Sequence, residues 1–294
     1  MKGRSGSTVY SQVSGTILIA LFVASSAGAQ ARRFERHFTV QGKPVITIQN
    51  ATGRIQVKAW DKQEVLIAGE KASTSVAVDT EQVGNRIEVA TRVISSNANP
   101  DALRADYDIS VPVESELQVR SDSGNVTVDS VHGDMSFDTV AADLALQDVE
   151  GYLMVKSIGG STVCLRCAGR FDATSISGNF QLLQPTMDNV RVQTSSGNIL
   201  FDGGFMNRGI YVLKNYSGTI EVRFSSSDSF DVRATSLYGN VINQAPVVPD
   251  RHKMPAPRNN GNDLTKSLFG SMNDGRAKVE LSSFSGTIKI SKRE

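Results

Sequence analysis

Two cysteines stand close together in the middle of the chain and could form a disulfide. Cys164 and Cys167 are separated by two residues, so a bond requires a bend that brings their Cα atoms within about 6 Å. A catalytic redox pair is disfavoured, because no helix N-terminus is predicted here to stabilise a thiolate. The other interpretation is that both side chains are small buried hydrophobes with no further chemistry.

Asp129 and Asp148 are a candidate pair of catalytic carboxylates. The repeat described below predicts that they lie on adjacent turns of one outer face, where they could act as the acid and the nucleophile of a retaining glycosidase. This pair is the basis of an enzymatic alternative, a carbohydrate-active β-helix enzyme such as a polysaccharide lyase or a glycoside hydrolase. Aspartate on a solvated strand is ordinary, so no catalytic residues are expected.

Three histidines, His37, His132 and His252, are the remaining candidate ligands for a metal. No two of them have the spacing of a metal site, and each is more simply a solvated surface side chain. The sequence therefore predicts no metal site and no cofactor.

These residues belong to a repeat that is marked by glycine corners. Ser123-Gly124-Asn125 recurs in similar form along the second half of the chain, at intervals of mostly 18 to 21 residues. The predicted structural corners are Gly53, Gly124, Gly178, Gly197, Gly218, Gly239 and Gly286, with degenerate copies at residues 141–143 and 159–161. Glycine permits a positive φ and Asn tolerates the same region, which is the chemistry of a tight turn.

The segments between corners read as short strands with apolar residues at places one, three and six. Places one and three share one face of a strand, and place six regains that face only if the chain kinks around places four and five. Cys164 and Cys167 occupy places three and six, so both are expected to point inward, as are Val140, Ile158 and Ile176 at place six. The fold class is all-β, a β-solenoid with two short strands in each turn of 18 to 21 residues.

The chain divides into four predicted regions. Residues 1–29 read as a secretory signal peptide, because Lys2 and Arg4 precede a short apolar run and a small-x-small cleavage pattern. Residues 30–120 are predicted to form an antiparallel β cap, and residues 121–294 the solenoid, with a mobile Pro/Asn-rich insertion at about 243–277. Lys289, Lys292 and Arg293 are expected to protect the last open strand edge.

Charge and hydropathy restrict the partners. Removal of the signal peptide leaves basic and acidic residues almost balanced, which argues against nucleic acid as the main partner. No other apolar stretch reaches the roughly 20 residues of a membrane span. The mature chain is therefore expected in the periplasm or outside the cell, with no membrane span, and its oligomeric state is left open.

One outer face of the predicted coil is unusually apolar. The outward residues on its successive turns are Val163, Leu165, Leu183 and Leu200. Either another part of the chain covers them, or they form a partner surface. The sequence thus predicts these four residues as the best candidate for a binding site.

Four repeats begin with a similar motif at the corner glycine. The motifs are Gly-Asn-Val-Thr-Val from Gly124, Gly-Asn-Ile-Leu-Phe from Gly197, Gly-Thr-Ile-Glu-Val from Gly218 and Gly-Thr-Ile-Lys-Ile from Gly286. In these motifs the chain resembles a family of bacterial adhesin-like domains of unknown function. The resemblance covers nearly all of residues 40–291 and implies an exported, β-rich, solenoid-like protein without catalytic residues. The expected function is a non-enzymatic envelope scaffold or binding module, whose partner is a glycan or an envelope protein.

Overall fold

The computed structural model describes residues 33–95, 99–250 and 266–293. The predicted signal peptide, His252 and residues 251–265 of the predicted insertion lie outside these residues. Apart from a short 3₁₀ helix at Pro100–Leu103, the regular elements of the described chain are β-strands. The chain is therefore all-β, as predicted from its composition of short apolar runs and turn residues.

The strands are, in chain order, β1 (Arg33–Thr39), β2 (Val45–Trp60), β3 (Glu64–Lys71), β4 (Val76–Val83), β5 (Arg86–Val93), β6 (Ala105–Pro112), β7 (Glu116–Asp129), β8 (Met135–Gln147), β9 (Glu150–Ser157), β10 (Ser161–Leu165), β11 (Ala168–Ser175), β12 (Asn179–Leu183), β13 (Thr186–Thr194), β14 (Ile199–Asp202), β15 (Ile210–Asn215), β16 (Thr219–Phe224), β17 (Phe230–Ser236), β18 (Asn240–Asn243), β19 (Val248–Pro249), β20 (Ser267–Met272), β21 (Ala277–Ser283) and β22 (Thr287–Lys292).

The coil has two faces, which we call the first and the second sheet. The first runs through β4, β5, the first half of β2, the first halves of β7 and β8, then β9, β11, β13, β15, β21, β17, β20 and β19. The second runs through β1, β3, β6, the second halves of β2, β7 and β8, then β10, β12, β14, β16, β22 and β18. The central strands of both are parallel, which confirms the β-solenoid.

Alternate residues of both sheets face a shared apolar core. Large side chains that are fully buried there include Phe137, Phe171 and Phe180. In β17 the burial alternates strictly between inward and outward residues. Neither sheet could bury its inner face alone, so each is stable only against the other.

The two kinds of half-turn end differently. In the second sheet the backbone becomes left-handed at place five, with φ of 60° at Ser130 and 51° at Asp148. The next side chain then turns back into the core, where Val131 and Val149 are buried. The predicted kink is confirmed for these half-turns, and it is what buries Cys167.

In the first sheet the strand stays extended through place five. Thr139 at place five is buried, so simple alternation sends the following Val140 outward. The expectation of an inward sixth place is therefore wrong for Val140, Ile158 and Ile176, which are 44%, 51% and 58% exposed.

Close contact between turns explains the glycine corners. A Cβ on Gly124 would lie 2.1 Å from the carbonyl oxygen of Gly53 on the preceding turn, and one on Gly197 would lie 1.8 Å from the oxygen of Gly178. Gly124 also has a φ of +105°, but Gly197 does not adopt a left-handed φ. The corner requires glycine chiefly because the next carbonyl occupies the place of a side chain.

Polar side chains complete the corners. The hydroxyl of Ser175 accepts a bond from Gly178 N at 2.8 Å, and Ser283 does the same for Gly286 N. Asn198 accepts a bond through Oδ1 from Thr219 N on the next turn, at 2.8 Å. Asn therefore satisfies backbone donors between turns, which would otherwise cost free energy at the corner.

The order of the turns in space differs from their order in the chain. β21 lies between β15 and β17, and β22 lies between β16 and β18. The expectation that Lys289, Lys292 and Arg293 protect an open edge is therefore wrong for β22. The segment after β18 supplies the chain length for this return, and its β20 pairs antiparallel with β17.

The parallel stacking begins well before residue 121. β2 pairs in parallel with β7 over both of its halves, and Gly53 lies in register with Gly124. β5 and β6 add a further parallel strand to each sheet. The antiparallel pairs of this N-terminal part are β4 with β5, β1 with β3, and β3 with β6. The antiparallel strands of the N-terminal part form only its outermost layer. The division of the chain into a cap and a repeat region remains a prediction.

Replacement of Gly124 by Ala is expected to lower the free energy of unfolding by about 2 kcal/mol or more, because it adds backbone strain to a clash with Gly53 O. Gly159→Ala is the matched control in the same stack. Its Cβ would lie 3.3 Å from the Ser177 hydroxyl and 3.8 Å from Val140 O, and the backbone there is not left-handed. Urea unfolding of the two variants measures the difference, and equal losses would refute the corner model.

The kink at Arg166 brings the two cysteines together. Their Cα atoms are 5.9 Å apart, the sulfurs are at bonding distance, and both side chains are fully buried. An exported sample is expected to take up no alkylating reagent in denaturant without reductant, and to gain two adducts after reduction, as measured by intact mass. Two adducts without reductant would show that the cysteines remain free thiols.

Candidate functional site

The four residues of the predicted binding face lie together on the outside of the second sheet. Val163 and Leu165 are on β10, Leu183 on β12 and Leu200 on β14, and all four are half-buried. Leu165 is the direct register neighbour of Leu183, and Gln181 separates Val163 from Leu200. We call these four residues the apolar patch.

The apolar patch is not covered by the N-terminal strands. β10 and β12 pack mainly on each other and on β8 and β14, and within the described residues β1 to β6 make no substantial contact with them. The half-burial of the leucines therefore comes from their neighbours within the sheet. Among the residues that the structure describes, the patch therefore faces outward.

A groove adjoins the patch on the same sheet. It has a volume of about 470 Å³, and its walls include Leu200 and polar side chains from successive turns. These polar residues are Asn179, Gln181, Asn198, Thr219, Glu221 and Lys289. The size is within the range of small-molecule sites, and three amide side chains belong to the lining, so we call it the amide groove.

The aspartate pair does not have the properties of a glycosidase site. Asp148 lies at the kink and not on the strand, and Arg166 binds it with two bonds of 2.6 Å. Hydrogen bonding to this guanidinium lowers the pKa of Asp148. Asp129 accepts a bond from Ser130 at 2.8 Å. A general acid needs a raised pKa, whereas Arg166 shifts that of Asp148 the other way.

His37 and His132, the two histidines among the described residues, lie in different parts of the fold, on β1 and at a corner of the coil. His37 bonds to Glu35 at 2.8 Å and also to Glu64, and these hydrogen bonds raise its pKa. His132 lies 3.9 Å from Glu114 at a corner of the coil. No cluster of three or more metal-ligating side chains occurs among the described residues.

A row of exposed side chains along the glycine corners escaped the sequence prediction. Its members precede the corner glycine, or Ala142 in its place, by one or two positions and are Val140, Ile158, Ile176, Ser195, Tyr216, Phe284, Leu237 and Tyr238. We call this row the crest. The recurrence of apolar residues immediately before the Ser-Gly pair could have predicted this row. It was not used, because the residues at the sixth place were expected to point into the core.

A second cavity, of about 410 Å³, lies on the outside of the first sheet near its C-terminal end. Its walls include Ile210, Val212 and Phe269, and the guanidinium of Arg233 stacks over Phe269 with 5.4 Å between Cζ and the ring centroid. Ion pairs are the main feature of the rest of that face, such as Lys214 with Glu280 at 2.9 Å. The cavity was not anticipated from the sequence, because β20 was not expected to add to this sheet.

No helix within the part of the chain that the structure describes has the length and apolar character needed to cross a membrane.

Comparison with known proteins places the chain in a family. The family model described as Toastrack DUF4097 matches residues 43–291. No curated protein matches the sequence.

Three solved structures of proteins provisionally assigned to adhesion are similar over most of their length. The Bacteroides fragilis protein is 13% identical, with 88% of this chain and 97% of that chain covered and a TM-score of 0.43. The Parabacteroides merdae protein is 9% identical, with 90% and 98% covered and a TM-score of 0.38. The Clostridium sporogenes protein is 10% identical, with 89% and 100% covered and a TM-score of 0.28.

These identities and scores are too low to transfer a function. The family match spans most of the sequence and agrees with the repeats on which the resemblance was based. The chain belongs to the Toastrack DUF4097 family.

Proposed function

We propose that this protein is an exported, non-enzymatic binding module of the cell envelope, which holds a glycan or an envelope protein on the outside of a rigid coil. The observation that carries this proposal is the apolar patch beside the amide groove, which none of the strands β1 to β6 covers. Apolar side chains that face outward on successive turns of a rigid sheet are typical of a recognition surface. The signal sequence and the paired cysteines support export.

The stacked corners support a scaffold role for the coil. Each strand of the central turns bonds to a neighbour on both sides, so the outward columns keep their spacing without a bound ligand. A preorganised surface loses little conformational entropy on binding. A partner that extends over several turns would gain most from this arrangement.

The catalytic alternative has less support. Arg166 donates two hydrogen bonds to Asp148 and lowers the pKa of that carboxyl group, whereas a general acid needs a raised pKa. A salt-bridged aspartate at a solvated kink is simply a contact between turns, as Arg166 and Asp148 are equivalent positions on successive turns.

The double variant Leu165→Asp/Leu183→Asp is expected to reduce retention of the exported protein on envelope fractions at least about tenfold, because two charges would be desolvated in the contact. The matched control is Thr174→Asp/Gln193→Asp, which adds the same charges at register neighbours on the first sheet. Retention is measured on separated glycan and protein fractions of the envelope. Equal loss in both variants, or in neither, would contradict a role for the patch.

The variant Asp129→Asn/Asp148→Asn separates the binding module from the enzyme. A binding module should retain its ligand nearly unchanged, because neither aspartate belongs to the apolar patch or the amide groove. Release of reducing ends from envelope polysaccharide is measured in parallel with binding. Turnover by the native chain that disappears in this variant would establish the glycosidase instead.

A further inference from the structure

The crest has a gap at one turn. Backbone bonds set the order of its members, since Ser195 N donates to Ile176 O at 3.1 Å and Tyr216 N donates to Ser195 O at 3.1 Å. Ile176 and Tyr216 are 58% and 57% exposed, whereas the residue between them is a small serine. Two steps of about 4.8 Å each separate the large side chains. The gap is thus wide enough for one ring-shaped group, and we call it the notch.

One wall of the notch is an aromatic face. Tyr216 stacks on Phe284 of the next turn, with ring centroids 4.3 Å apart and an interplanar angle of 11°. The opposite face of the Tyr216 ring is therefore turned towards the preceding turn, where Ser195 lies. Tyr238 supports Phe284 from the other side, with centroids 4.9 Å apart. The ring is held in place before any ligand arrives.

The floor of the notch is polar. Ser195 and Ser196 are both exposed, and Ser217 is half-buried beside them. The Ser196 and Ser217 hydroxyls donate to carbonyl oxygens of the preceding turn at 3.5 Å, whereas that of Ser195 has no hydrogen-bond partner among the described residues. No ionised side chain belongs to the walls or the floor at neutral pH.

Apolar walls over a polar floor fit a pyranose ring. A sugar ring presents C–H groups on its faces and hydroxyl groups on its rim, so its faces can stack on Tyr216 and Ile176 while its rim bonds to serine. A hydrocarbon side chain would instead cover the serine hydroxyls without replacing their bonds to water, which costs free energy. The neutral lining also favours a neutral ligand over an anionic one.

The notch continues into the amide groove across the glycine corner. Ser195 and Asn198 are separated by two residues of the same corner, and Asn198 lines the groove. The Oδ1 atom of Asn198 is engaged by Thr219 N, which leaves the amide nitrogen of this exposed residue to donate to a ligand. Gln181 and Glu221 offer further polar contacts in the groove. A ligand longer than one ring can therefore occupy both.

We propose that the notch binds one ring of a neutral glycan, stacked between Tyr216 and Ile176, and that the glycan chain continues into the amide groove. The inference rests on the proposed function as a binding module and specifies its ligand class. It places the first contact at the crest, away from Leu165 and Leu183.

Binding of cellotetraose, maltotetraose and tetra-N-acetylchitotetraose to the exported chain tests this proposal by titration calorimetry. At least one of them is expected to bind the native protein. Ser195→Ile fills the notch and should abolish measurable binding, and Tyr216→Leu keeps an apolar side chain but removes the ring face, which should weaken binding about threefold to tenfold. Tyr152→Leu makes the same replacement at a ring outside the crest, where Tyr152 contacts Arg170, and should leave the affinity unchanged.

Asn198→Asp tests the continuation into the groove. It retains the oxygen that accepts from Thr219 but removes the amide donor, so it should weaken the tetrasaccharide and leave the affinity for the corresponding monosaccharide unchanged. Unfolding curves of each variant are compared with those of the native chain. A variant with a folding defect is set aside, and the remaining variants test the proposal.

Three results would overturn the proposal. The first is that none of the oligosaccharides binds, and the second is that Ser195→Ile binds as the native protein does. The third is a native dimer in sedimentation that Ser195→Ile dissociates, which would make the crest a contact between copies. If envelope retention still depends on Leu165 and Leu183 in that case, the proposed function stands without the glycan site. If neither oligosaccharide binding nor this retention is observed, both the glycan site and the proposed function are refuted.

Discussion

The contact between each corner glycine and the carbonyl of the turn before it is the constraint on which the coil depends. The Gly197 Cα lies so close to Gly178 O that a side chain has no place, and Gly286 has the same relation to Gly218 O. This approach brings the strands into hydrogen-bonding distance on both sheets at once. A bulky residue at one corner would separate two turns on both faces, so the spacing of the outward columns depends on these few positions.

The same constraint assigns the surfaces their roles. Since the corner fixes the register, Leu165 meets Leu183 and the outward columns run straight along the coil. The strand residues that point inward form the core, whereas those that point outward can be apolar, polar or charged without disturbing it. The ion pairs on the first sheet, the apolar patch on the second and the crest between them are therefore three independent surfaces on one frame.

The repeat, the all-β class and the inward cysteines could be predicted from the sequence because they follow from local spacing. The intervals between glycines predicted the length of each turn. The rule that the sixth place points inward predicted the burial of Cys167 correctly. The same rule failed at Ile176, since it assumed one kind of corner. The left-handed backbone at Asp148 has no equivalent in the half-turns of the first sheet. The spacing of apolar residues is the same in both kinds of half-turn, so it could not predict this difference. Likewise, nothing local shows that Gly53 stacks on Gly124, because β3 to β6 intervene in the chain.

The aromatic cluster of the crest depends on the one feature that local spacing cannot encode. In chain order Phe284 comes after Tyr238, and a regular coil would place it beyond that residue. The return of β21 between β15 and β17 instead puts Phe284 next to Tyr216, with Tyr238 on its far side. Phe284 then fixes the plane of the Tyr216 ring and turns its free face to Ser195. The order of the last two turns in space therefore decides whether the crest contains an organised aromatic wall or only scattered exposed rings.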